Sequence, residues 1–203
     1  MSLKRWGNVL AACAILLLTA CDVVKLDANG NPMLPKAADS APGYDNMTPQ
    51  QIAQQTWQSR VVQAAQDKAL DTPAFISSLS ASPGSKQSYF LRVTGPVTGE
   101  DTQNEREKKI TIMVDAKPLL VQIGPVIRGN TIRDAAGFQF EDFTNQVQFA
   151  QLSKAYNREA ASHLPQVDTA WMGKQVSALL AVTIAQGKVT DAVALSLTEE
   201  AAQ

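Results

Sequence analysis

Between Lys117 and Asn145 the chain reads KPLLVQIGPVIRGNTIRDAAGFQFEDFTN. The first third reads as a strand, rich in Leu, Val and Ile. Two turn signals follow, at Gly124-Pro125 and Gly129-Asn130, and a Phe-rich loop then leads into a helical pattern from Asn145. Few folds carry a strand through two tight turns straight into a helix. The stretch reads as the strand-to-helix crossing of a small Greek-key barrel.

The flanking segments supply the rest of such a barrel. Residues 87–98 read as one long strand, with a bulge at Gly95-Pro96 where a donor is missing and the backbone is permissive. Residues 110–114 alternate with period two, and 119–127 form the third strand. The helix expected over 145–164 places Phe149, Leu152, Tyr156 and Ala160 on one stripe. Asp142 or Thr144 is its expected cap, and Pro165 its stop. Strands over 175–184 and 189–197 flank a Gln186-Gly187-Lys188 turn. Three strands, a helix and two strands is the element order of an OB-fold: α+β, mostly β, a five-stranded Greek-key barrel with its helix between strands 3 and 4. An unrelated α+β sandwich is the alternative.

Ahead of the barrel, Thr48-Pro49-Gln50-Gln51 carries the marks of a helix start, a Thr cap with Gln three residues on and Pro at the first helical position. The amphipathic helix expected over 48–70 has Ile52, Ala53, Trp57, Val61, Ala64 and Ala65 on one face. Gln51, Gln55, Gln58 and Gln66 lie opposite. Asp71-Thr72-Pro73 ends it, and the Ser/Pro/Gly-rich 77–85 reads as a link. The globular domain is thus expected over 48–203, with the barrel at about 86–198. Phe138, Phe140 and Phe143 are expected to plug the barrel beneath its helix.

The first residues belong to a different logic. Lys4 and Arg5 precede an apolar run over 9–18, which is too short to cross a bilayer and suits a signal peptide. It ends in Leu18-Thr19-Ala20-Cys21, which looks like the lipobox of bacterial lipoproteins. Small residues at 19 and 20 let the backbone enter a peptidase cleft, and the Cys21 thiol takes a diacylglyceryl group. Residues 1–20 are then a signal peptide and Cys21 the lipidation site, so the membrane is a partner through the N-terminal lipid. Residues 21–47 read as a tether reaching about 30 Å. Asp22 resembles the signal that retains enterobacterial lipoproteins in the inner membrane. Since Cys13 leaves with the leader, no thiol remains for a disulfide, a metal or catalysis.

Composition then narrows the function. A hydrophobic content of 45% with 18% charged residues is that of a globular chain. The formal net charge is −1, and it falls further once Lys4 and Arg5 are removed. An acidic chain whose second strand lacks aromatics does not suit nucleic acid. His163 is the single histidine and no nucleophile elbow is present, so no catalytic residues, cofactor or metal are assigned and the protein reads as not an enzyme. The carboxylates Glu100, Asp101, Glu105 and Glu107 are offset by Arg106, Lys108 and Lys109.

The candidate contacts for a ligand or partner are Arg128, Arg133, Asp134 and Asn145. Two guanidinium groups there can grip a carboxylate, a phosphate or a sugar hydroxyl. The same residues can instead pin the turn to the barrel mouth. Of the two, Arg128 is expected to be structural and Arg133 the more exposed.

GPVIRGNTIRDAAGFQFEDFTNQVQFAQLSKAYN resembles the segment that marks a bacterial family of periplasmic lipoproteins known as domain of unknown function 2291. GPVIRG, the following RD and DFTNQ make the resemblance specific. It extends from the lipobox to the closing GKQVSALLAVTI strand. No activity comes with that family. Its members are often encoded beside sugar ABC transporter components, which implies a role around solute uptake with those components as partners. Three functions follow in order: a non-catalytic lipid-anchored binding or accessory module, a small-solute (sugar or anion) binding protein using the Arg128/Arg133 rim, and an uncharacterised hydrolase.

Overall fold

Five strands form a closed barrel: β1 (Gln87–Asp101), β2 (Glu107–Val114), β3 (Lys117–Pro125), β4 (Gln175–Ala185) and β5 (Lys188–Glu199). In this computed structural model the described residues are 43–200 apart from 45, 82, 83, 85, 102 and 144, together with 25–26 and 32–33. The chain divides into two units, Met1–Ser40 and Ala41–Gln203. In the first, Lys25–Leu26 pairs antiparallel with Pro32–Met33. The leader and Cys21 lie outside the described residues, so the lipidation reading rests on sequence.

The barrel order is β1–β2–β3–β5–β4, closing on β1, with the long helix between β3 and β4 as the OB-like reading expects. Every neighbouring pair is antiparallel except β3 and β5, which meet in parallel at Gln122 and Val193. β1 is long enough to serve two partners. It pairs with β4 from Gln87 to Pro96 and with β2 from Val97 to Asp101. Gly95 marks the changeover, because a Cβ there would stand 2.0 Å from the Met113 carbonyl oxygen. The bulge expected at Gly95-Pro96 falls slightly later, between Val97 and Gly99.

Alternation along the strands splits the apolar residues into two cores. Leu91, Val93, Ile110, Ile112, Val121, Leu180 and Ile184 fill the barrel interior. Phe90, Ala181, Val193 and Leu195 point the other way and meet the helices. This outer layer contains Ile52, Trp57, Val61, Ile132, Phe138, Phe143, Leu152 and Tyr156. The expectation that the phenylalanines plug the barrel is therefore corrected. Phe138 and Phe143 pack outside it, where a helix over a twisted sheet leaves room for rings, and Phe140 is partly exposed. Among the described residues of this unit, packing already includes Tyr44, ahead of Thr48: Tyr44 stacks on Phe143 at 5.3 Å.

The N-terminal helix starts as its sequence indicates. Thr48 Oγ1 accepts from Gln51 N, and Gln51 Oε1 accepts from Thr48 N at 2.8 Å. It is not one uniform helix: α1 (Pro49–Thr56) passes through a π-helical stretch, Trp57–Gln63, into α2 (Ala64–Lys68). The Thr56 hydroxyl donates to the Ile52 carbonyl at 2.6 Å, and the wider winding begins at the next residue. Leu70 then joins the β1 edge, donating to Phe90 O and accepting from Arg92 N.

A further helix, α3 (Thr72–Ala81), replaces the expected link. Asp71-Thr72-Pro73 ends one helix and also starts the next: Asp71 Oδ1 accepts from Ala74 N at 2.9 Å. Phe75 from α3 is buried against the interior cluster. After β3 come α4 (Thr131–Ala135) and α5 (Gln146–His163). The cap of α5 is Asn145, whose Oδ1 accepts from Val147 N at 2.8 Å, and not Asp142. Asp142 instead accepts from Gln139 N in the preceding turn, and Thr144 lies outside the described residues.

Candidate functional site

The crossing that follows β3 is held by side chains from several elements. Gln122 closes a local ring: its Oε1 accepts from Arg128 N at 2.9 Å, and its Nε2 donates to Arg128 O at 3.1 Å. The same Nε2 donates to Asp191 Oδ1 on β5 at 2.7 Å. Thr131 donates to Asp191 Oδ2 at 2.6 Å and contacts the Thr183 hydroxyl of β4 at 2.8 Å. Thr183 in turn contacts Ser88 of β1 at 2.9 Å. From above, Asn157 on α5 donates to Ile127 O and Gly129 O at 3.3 and 3.0 Å.

Gly129 is required by this clamp. Its φ is +93°, and a Cβ would lie 2.7 Å from Asp191 Oδ2. The arrangement satisfies the backbone of a segment that leaves a sheet before a helix can supply partners. Its polar groups point at one another and at main-chain atoms.

The arginines reverse the expected exposure. Arg133 is the buried one, at 8%, and Arg128 has a side chain 71% exposed. Arg133 lies on α4 under the start of α5. Its Nε and Nη2 donate to Asp134 Oδ1 at 2.9 and 2.6 Å, and Nη1 donates to Phe149 O at 3.3 Å. The guanidinium carbon stands 3.8 Å from the centre of the Phe149 ring, so the cation is covered by an aromatic face. A weakly hydrated planar cation tolerates this site better than an ammonium would.

Arg128 reaches Glu107 at the start of β2, with Nε and Nη2 both donating to Oε1 at 2.7 and 2.5 Å. The hydrogen bonds from Arg128 hold the Glu107 carboxyl below its ordinary pKa, and Glu107 raises that of Arg128. The two arginines thus serve separate carboxylates and do not converge on one space. Asn145 is occupied as the α5 cap, and Asp134 as the partner of Arg133.

Gln122, Thr131, Asn157, Thr183 and Asp191 were not singled out by the sequence. Asp191 left a signal, because it is the one charged residue over 189–197 of the closing strand. Asn157 left a fainter one, as a polar residue one position after the apolar stripe of α5. Neither signal identifies its partner.

Groups able to do chemistry are dispersed among the described residues. His163 ends α5, stacks on Trp57 at 5.2 Å and stands 3.4 Å from Glu159. Three or more His, Cys, Asp or Glu side chains do not gather to hold a metal among the described residues. Burial raises the Tyr156 phenol well above its ordinary pKa, and its oxygen contacts Thr56 at 2.5 Å. Two shallow depressions flank the barrel. One, of about 290 Å³, lies between Pro118–Gln122 and Val189–Ala192; the other, of about 340 Å³, lies beside Leu70–Pro73 and Arg92.

Fold and site together define a small barrel with a helical layer, whose most concentrated polar cluster holds its own backbone. Residues 11–198 match the family described as predicted periplasmic lipoprotein (DUF2291), and the chain belongs to that family. Membership carries attachment to a membrane in the periplasm. No helix among the described residues is long and apolar enough to cross one. No curated protein matches the chain.

Proposed function

We propose that this protein is a non-catalytic accessory module of the cell envelope, held at the inner membrane through lipidated Cys21 and acting beside a sugar ABC importer. The observation that carries this reading is the closure of the crossing. Arg133 is spent on Asp134 and Phe149, and the hydroxyl, amide and carboxylate groups around Asp191 are spent on the turn. A solute would have to displace these bonds to be gripped. A partner protein needs only the surface that the clamp keeps in shape. Asp22 supports the inner membrane.

Affinity capture of the full-length lipoprotein from detergent-solubilised membranes tests the proposal. Recovery of importer subunits at constant ratio supports it. A small molecule released on denaturing the purified protein favours solute binding instead, and an R128A variant would then lose it. Recovery of the protein alone, with neither, overturns both. The anchor is checked separately: Cys21→Ser should leave an unprocessed, signal-bearing precursor. A normally cleaved soluble product would remove the lipobox reading.

A further inference from the structure

Among the described residues of the globular unit, Tyr44 is the buried one nearest in sequence to Cys21, and its surroundings are unusual. Tyr44 stacks on Phe143 at 5.3 Å, Phe143 meets Phe149 at 5.3 Å, and Phe149 meets Phe140 at 5.8 Å. A continuous chain of rings therefore leads outward from the attachment point to a phenylalanine that is 37% exposed. Gln148 fixes the incoming backbone, donating to Tyr44 O at 2.7 Å and to Met47 O at 2.6 Å. The residue before it, Val147 in the first turn of α5, is 60% exposed. Two of the large exposed apolar side chains among the described residues thus flank the place where the tether arrives.

We propose that this end of the domain, with Phe140 and Val147 as its contacts, rests on the surface of the bilayer that holds the lipid anchor. The inference depends on the lipidation of Cys21. It goes beyond accessory function by stating which face meets the membrane. The occupant follows from where the chain outside the domain ends. A tether expected to reach about 30 Å keeps Tyr44 within a domain's width of the lipid headgroups. At such an effective concentration, a small apolar contact becomes populated without strong intrinsic affinity. A phenylalanine and a valine suit the boundary between headgroups and acyl chains. Glu141, exposed beside Phe140, is repelled by anionic lipid and gives no attraction to it, so the contact is apolar and is not weakened by salt.

Full-length lipidated protein, reconstituted into phosphatidylethanolamine/phosphatidylglycerol vesicles, provides the test. Phe140→Cys and Val147→Cys carry an environment-sensitive fluorophore, as does Leu120→Cys on the barrel wall. Leu120 is 51% exposed and serves as the control for exposure alone. Flotation with the vesicles first establishes the anchor; protein that stays at the bottom fails the lipidation reading rather than the docking. In floated protein, labels at 140 and 147 should shift to the blue. Spin-labelled lipid should quench them several-fold more than the label at 120, and no less in high salt than in low. Equal quenching at all three positions, or water-like emission at 140 and 147, overturns the proposal. The latter would leave the face to a protein partner. Circular dichroism of each labelled variant confirms that the domain is folded before the comparison is made.

Discussion

The barrel interior and the helical layer outside it are made from the two faces of the same strands, yet they are built differently. The interior is aliphatic, with Leu91, Ile112, Val121, Leu180 and Ile184 filling a narrow closed space. The outer layer holds Trp57, Phe138, Phe143 and Tyr156, together with the polar clamp around Asp191. A five-stranded barrel has room for branched aliphatics and little else, and its own ladders satisfy its backbone. The space between a helix and a twisted sheet is irregular. It accepts rings, and it must also absorb a chain segment whose amides have no ladder. One face therefore carries general packing, and the other carries particular bonds.

The largest effect should come from the interior. Leu180→Ala, at a fully buried position, should cost about 2–5 kcal/mol in urea unfolding, because a closed barrel cannot collapse onto the void. A loss below 1 kcal/mol would mean that the interior yields more readily than its closure implies. In the outer layer, Gly129→Ala should cost about 1–3 kcal/mol, combining a left-handed φ with the approach of Asp191. Adding Asp191→Ala should make the double variant less destabilised than the sum of the singles, since the clash then has no partner. Strict additivity would break the link between the glycine and the clamp.

The arginines sharpen the contrast at smaller scale. Arg133→Ala should cost about 1–3 kcal/mol, since it removes three hydrogen bonds and uncovers the Phe149 ring at a buried site. Arg133→Lys should recover only part of the loss, because an ammonium lacks the planar fork.

Arg128→Ala should leave the thermal midpoint nearly unchanged at neutral pH and moderate salt. Its small contribution has a defined sign. Glu107 has a lowered pKa in the folded state, so the pair stabilises above the carboxyl's ordinary pKa and loses that contribution as pH falls through the lowered value. The difference between wild type and Arg128→Ala should accordingly vanish in acid, and a difference that grows there would contradict the pairing.

Local chemistry was legible in this sequence wherever one segment decides its own state. Period-two alternation over 110–114 and apolar runs bounded by turn signals elsewhere identified all five strands, Thr48-Pro49-Gln50-Gln51 announced its helix, and the element order implied the barrel. The helix over Thr72–Ala81 was missed because Asp71-Thr72-Pro73 carries stop and start signals at once. The match over residues 11–198 likewise belongs to the linear sequence.

Tertiary structure alone decided which arginine is buried, that the phenylalanines lie outside the barrel, and that Gln122, Asn157 and Asp191 close on the same turn. These depend on residues far apart in the chain becoming neighbours. Asp191 and Gln122 meet only because β3 and β5 come together in parallel at the barrel's closing seam. Arg133 is covered only because α5 lays Phe149 across it. Periodicity tells a side chain which way to face. What it faces is set by the packing of other elements, and for Arg133 that was an aromatic ring and a carboxylate rather than water.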